Sequence, residues 1–230
     1  MSYEKIASVS DFVKIILQNK QYYLFRGQRE DWPLLPFIDR VNHNGLERKD
    51  HERLMLKEFE QRTRAFTNTP FANRWELHAL ARHHGVPTRF LDWTENPLFA
   101  LFFAVYEFGG NDSVVFCYSY VCQNNEPLDI ILQPDPFDIK DIKLFDPPHI
   151  HSRIANQNAK FTVHPEKIQT DTQWPGSMYK LVIPKEKRVL IRFELFKLGV
   201  HYCNLFSDME GVGIHVRNTW CKQEDEQNIA

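Results

Sequence analysis

Apolar residues along the chain recur at two periods, and the two divide it into helices and strands. Ser8, with Asp11 three residues on, forms a capping box, and Phe12, Ile15 and Ile16 then fall at helical spacing, which predicts a short helix ending near Asn19. YYLFRGQ (22–28) has the length and aromatic density of a strand. The two prolines of REDWPLLPFIDR predict an irregular loop. A long helix is expected over about Leu46 to Phe66, with Met55, Phe59 and Phe66 on one stripe. A second helix starts at Asn73 and stops at Gly85, with Pro87 beyond it. TRFLDWT reads as a strand, and Asn96 with Pro97 caps and starts a very apolar helix, LFALFFAVYEF, closed by Gly109 and Gly110.

Further on, SVVFCYSYV and LDIIL read as strands, and the Pro/Asp-rich stretch from Gln133 to His149 as a loop. RIANQNAKFTVHP and YKLVIP are expected strands, KEKRVLIRFELFKLGV a helix closed by Gly199, and SDMEGVGIHVRNTWCKQ a weaker last helix. No repeat is visible, and the elements follow one another without a strict βαβ rhythm. Neither GxGxxG nor GxxxxGK[ST] occurs, so Rossmann and P-loop folds lack support, and an α+β domain over residues 1–222 with a frayed tail at 223–230 is expected.

Composition changes this picture little. The 230 residues are 43% apolar and 25% charged, as in a soluble globular protein, with an unusually aromatic core from 18 Phe, 8 Tyr and 5 Trp. A net charge of -2 excludes a global positive field for nucleic acid or an anionic membrane. Cys117, Cys122, Cys203 and Cys221 form no CxxC pair, so reduced thiols are expected and no metal site. The amphipathic start lacks the apolar core of a signal peptide, and the apolar run Leu98 to Tyr106 is about half of the ~18 to 20 residues a spanning helix needs. A cytoplasmic protein without a membrane partner is expected.

Three polar positions stand out. In a strand, Leu24, Arg26 and Gln28 share one side and Tyr23, Phe25 and Gly27 the other. Arg26 is either a fork for a phosphate or a structural arginine paired with an acidic residue, and Gly27 leaves backbone open to close approach by a ligand or another segment. In RIANQNAKFTV the same rule sets Gln157 on the apolar side with Ala155, Ala159, Phe161 and Val163, where an amide without partners costs about 1 to 3 kcal/mol. Gln157 thus closes a hydrogen-bond network or faces a ligand. His83, His84, Arg89, Asp92 and Thr94 cluster within one short stretch, suggesting acid-base work, or equally a favoured helix C-terminus beside a satisfied carboxylate.

LFRGQ, ALARHHGVPTRFLDWTENPLFALFFA, RIANQNAKFTVH and LGVHYCNLFSDMEG together resemble, in order, the landmarks of the FRG domain family. That family looks related to the ADP-ribosyltransferase superfamily, so the resemblance implies a split, mostly antiparallel sheet flanked by helices and NAD as cosubstrate. By motif, Arg26 takes the phosphate-holding place on the first strand, Thr94 the ribose-supporting place on the second, and Gln157 the place of the third-strand Glu. Gly27, Gln28, Arg89 and Trp93 join Arg26 and Thr94 as cofactor-binding residues, with Trp93, Tyr23 or Phe25 beside the nicotinamide. The implied chemistry is rupture of the nicotinamide-ribose bond through an oxocarbenium-like state captured by a protein, nucleic-acid, small-molecule or water acceptor. The implied setting is a bacterial toxin or phage-defence system, with an antitoxin or regulatory partner.

A neutral amide stabilises an adjacent cation far less than a carboxylate does. The resemblance therefore leaves two outcomes, a noncatalytic module that binds a nucleotide or a protein partner through the same cleft, or a charge supplied by Glu95 or Asp92. A His/Asp-dependent nucleic-acid hydrolase, using His83 or His84 with Asp92, is a third reading.

Overall fold

In a computed structural model, residues 3–19, 23–66, 70–107, 110–119, 130, 132–148, 152–166, 174–206 and 208–221 are described. The fold is α+β, one seven-stranded sheet with eight helices among these residues. The strands are β1 (Tyr3–Lys5), β2 (Leu24–Gln28), β3 (Phe90–Thr94), β4 (Ser113–Ser119), β5 (Lys143–Phe145), β6 (Ala159–Val163) and β7 (Ser177–Ile183), ordered β1-β7-β4-β2-β3-β6-β5. The β1–β7 pair is parallel and the other neighbours are antiparallel.

The caps read from the sequence set the helix starts. In α1 (Val9–Gln18) the Ser8 hydroxyl accepts from the Asp11 N–H, and Asp11 returns a bond to the Ala7 N–H. Asn73 caps α3 (Arg74–His83), which Gly85 closes at φ +84°, and Asn96 caps α4 (Pro97–Val105) ahead of its N1 proline. The remaining helices are α2 (Arg48–Thr63), α5 (Ser152–Asn156), α6 (Arg188–Lys197), α7 (Tyr202–Leu205) and α8 (Met209–Trp220). None is long and apolar enough to cross a membrane.

One face of β7, β4 and β2 packs Phe25, Val115, Cys117 and Leu181 against α1, α4 and α6. Trp75 and Ala79 of α3 cover Phe90, Phe161 and Val163. On the reverse face Leu24, Leu91, Trp93, Phe116 and Tyr118 are roofed by loop residues, Leu34 and Trp174 among them.

Several expectations change. The strand expected over 153–165 is strand only from Ala159; residues 152–156 form α5, and Asn158 at φ +45° turns the chain between them. Alternation therefore does not reach Gln157. The loop expected over 133–149 holds a 3-10 turn at Pro136–Asp138 and the short β5. In α2 the buried positions are Arg48, Glu52 and Leu56, while Phe66 is exposed, because a buried arginine calls the Glu52 carboxylate inward. Of the strand expected at LDIIL (128–132), only Ile130 and Leu132 are described, and neither is in a strand; the tail at 223–230 lies outside the described residues.

Candidate functional site

The sheet is narrowest between β2 and β3. All five residues of β2 pair with β4, whereas Phe25↔Thr94 is the single pair with β3. Continuing that antiparallel register would set Gly27 against Asp92. Instead, Arg26 reaches across. Its Nη1 donates to the Asp92 carbonyl at 2.9 Å and lies 3.5 Å from Asp92 Oδ2, while its Nε donates to Gln28 Oε1 at 3.1 Å. The guanidinium thus occupies the gap where two strands part, taking a carbonyl the ladder has left unpaired.

Asp92 is shared. Arg82, in the last turn of α3, donates from Nε at 3.1 Å and Nη2 at 2.5 Å to the same Oδ2. Burial opposes ionisation of Asp92, but Arg82 and Arg26 outweigh it and hold the carboxyl below its ordinary value. Burial also lowers the Arg26 pKa to about 10; Asp92 resists this, and Arg82 and Arg40 add to it. Arg26 stays charged at neutral pH, with 14% of its side chain exposed. Its Nη2 makes no hydrogen bond among the described residues.

Thr94 and Gln157 meet at the far end of β3. Thr94 Oγ1 donates to the Gln157 carbonyl at 2.6 Å and accepts from the Asn96 N–H, tying β3 to the turn before β6 and to the start of α4. The Gln157 amide donates to the Leu205 carbonyl at 3.1 Å, so its side chain closes a network with α7. Thr94 is in register with Phe25, one residue from Arg26. Strand alternation places the Thr94 and Arg26 side chains on opposite faces, and the guanidinium runs instead toward Asp92. Glu95, 45% exposed, follows Thr94 and lies 3.7 Å from Lys160 Nζ.

The other predicted residues serve the fold. A Cβ on Gly27 would lie 1.8 Å from the Ala100 carbonyl oxygen, so the segment approaching this glycine is α4. Gln28 is buried and donates to the Trp32 carbonyl. Trp93 is buried between Tyr118 and Trp174, and donates to Thr162 Oγ1. Phe25 is in the helix-covered core, and Tyr23 packs edge-on to Tyr179. Arg89, expected in the cofactor site, is fully buried, bonded to Glu52 and Glu166 over the Phe137 ring. Its donors are spent inside the core.

Two arginines, Arg82 and Arg26, hold the Asp92 carboxylate. Among the described residues no cluster of three or more His, Cys, Asp or Glu side chains could hold a metal ion. Sequence reasoning missed Arg82 and Arg40 as neighbours of Asp92. Arg82 carried a weak signal, ten residues before Asp92 at the end of a helix that runs into β3. Arg40 carried none.

No curated protein and no solved structure matches the chain. Gln157 lies beyond the one stretch that does find a match. The family model described as FRG domain matches residues 21–112, from the entry to β2 through α4 with Arg26, Asp92 and Thr94 inside it, and this match supports the FRG family for the chain.

Proposed function

We propose that this protein binds NAD at the parting of β2 and β3 and acts as an ADP-ribosyltransferase-like enzyme or NAD glycohydrolase. The carrying observation is Arg26, a charged guanidinium set in the gap with one arm uncommitted. A phosphate there would gain charge-assisted hydrogen bonds from a group that the strands already hold in place. Transfer breaks the bond between the ribose C1′ and the nicotinamide nitrogen; nicotinamide leaves neutral with the bond electrons, and an acceptor hydroxyl or water attacks C1′ and gives up its proton to solvent. The cationic ribose needs a negative neighbour. Gln157 is neutral and turned to Leu205, so Glu95, exposed beside Thr94, is the side chain assigned that task.

A second reading, binding without turnover, is favoured by that same commitment of the Gln157 amide to α7. Incubation with NAD separates the two. Under the first, nicotinamide is released, Arg26→Ala abolishes both release and the rise in melting temperature with NAD, and Glu95→Gln abolishes release alone. A rise without release in the wild-type chain selects the second reading. Neither rise nor release with any acceptor tried removes both.

A further inference from the structure

The mouth of the gap carries more positive charge than its own carboxylate balances. Arg40 ends the 3-10 turn Phe37–Arg40, and its guanidinium lies 5.2 Å from the Phe37 ring centroid; Arg82 lies 5.6 Å from the same centroid. The neighbouring Asp39 gives Arg40 little, because both its oxygens accept from Arg48, at 2.6 and 3.0 Å. Arg40 is exposed and pairs with no carboxylate among the described residues. Arg26 and Arg82 hold the Asp92 carboxylate between them, and Arg40 stands with Arg82 over the Phe37 ring, which brings three guanidinium groups to one mouth.

Arg82 alone, donating from Nε and Nη2, is enough to balance Asp92. Two further like charges raise the energy of the site, since each repels the others. Both Arg26 and Arg40 are lowered in pKa by burial first; neighbouring arginines add to this, Asp92 opposes it at both, and Asp39 opposes it at Arg40. Arg40 is a surface residue whose guanidinium rests over the Phe37 ring. A second anion would relieve all three.

We propose that Arg26, Arg40 and Arg82 form a diphosphate site at the mouth of the β2–β3 gap, with Phe37 as the plate that fixes the planes of Arg40 and Arg82. The ligand class is a small nucleotide anchored by its diphosphate. That identity rests on the function proposed above, whereas the oxyanion site itself does not. Guanidinium forks suit paired phosphate oxygens in a way that ammonium groups do not.

The test uses inorganic pyrophosphate, ADP and adenosine on the full chain, followed by calorimetry at low and high salt. Pyrophosphate and ADP are expected to bind, more weakly at high salt. Arg40→Ala is expected to fold normally and to weaken both by about tenfold or more, with Arg40→Lys restoring only part, and to leave any adenosine binding unchanged. Wild-type protein that binds neither pyrophosphate nor ADP at millimolar concentration, or an Arg40→Ala variant that binds both as wild type does, overturns the site. If NAD binding is lost in Arg26→Ala but indifferent to Arg40→Ala and Arg82→Ala, the diphosphate site fails and NAD binding stands. If pyrophosphate binding depends on Arg40 while NAD is neither bound nor cleaved, the site stands and the NAD reading fails.

Discussion

A methyl group at position 27 has nowhere to go, because α4 passes so close that Ala100 and Ala104 backbone atoms occupy its place. Gly27→Ala must push α4 off β2 or shift the strand that carries Arg26. We expect a loss of about 1 to 3 kcal/mol, typical of overpacking, read from the urea midpoint, and a fall in any NAD-induced thermal shift. An unchanged midpoint would show that the α4 contact is soft. Arg26 and Gly27 are thus adjacent residues with opposite duties, one turned to the gap and one to the helix. Alternation within a strand made that division legible in the sequence. Which duty each performs was not, because it depends on what lies on either side of β2.

At the scale of elements, α2 is held by charge as much as by apolar contact. Glu52 and Arg89 are both fully buried, 2.8 Å apart; Glu52 also accepts from the Arg89 backbone N–H, and Glu166 joins Arg89 at 3.2 Å. Removing one partner leaves a charge without compensation in the core. Arg89→Met is expected to cost about 3 to 5 kcal/mol, and the double variant Arg89→Met with Glu52→Leu to recover much of it. A double variant as unstable as the single one would show that the value of the pair lies in its hydrogen bonds to α2, not in charge balance. Met55 and Phe59 gave the helix its type and its inner side, where Phe59 packs against Leu56, but the stripe ran past the helix end to the exposed Phe66 and missed Glu52 at the centre of that face, since an inward carboxylate cannot be foreseen without its arginine.

At the scale of the whole molecule, two histidines are buried among the described residues, His78 and His164, and their titration sets an acid response. Burial lowers His78 to about 3 despite its bond to the Arg74 carbonyl, and lowers His164 to about 3 with Arg48 and Arg26 adding to the shift. Trp93 donates to Thr162 Oγ1, which lies 3.1 Å from His164 Nε2, an arrangement that suits a neutral imidazole accepting the hydroxyl proton. A histidine depressed in the folded state contributes stability above its unfolded pKa and loses it as pH falls toward the folded value. Each should therefore cost about 1.4 kcal/mol per pH unit below the ordinary histidine range. Glu52, pushed up by burial against the pull of Arg89, works the other way. Urea midpoints should fall between pH 7 and pH 5, and His164→Asn should roughly halve the slope. A flat profile would mean that the histidines are protonated in the fold.

Local rules determined which segments are helix and which are strand wherever cap, period and breaker agree within a few residues, as at Ser8, Asn73, Gly85 and Asn96. They failed where a long-range partner decides, as at Gln157, β1 and β5: a turn residue at positive φ, or a three-residue strand, exists only because a neighbour pairs with it. Tertiary structure alone decided that β2 and β3 touch at one residue, that Arg26 fills the gap beside Asp92, and that Arg40 and Arg82 arrive there from two other elements. Charge patterns in a sequence record neighbours along the chain. The energy of a site depends instead on separation in space and on how much water is left between the charges.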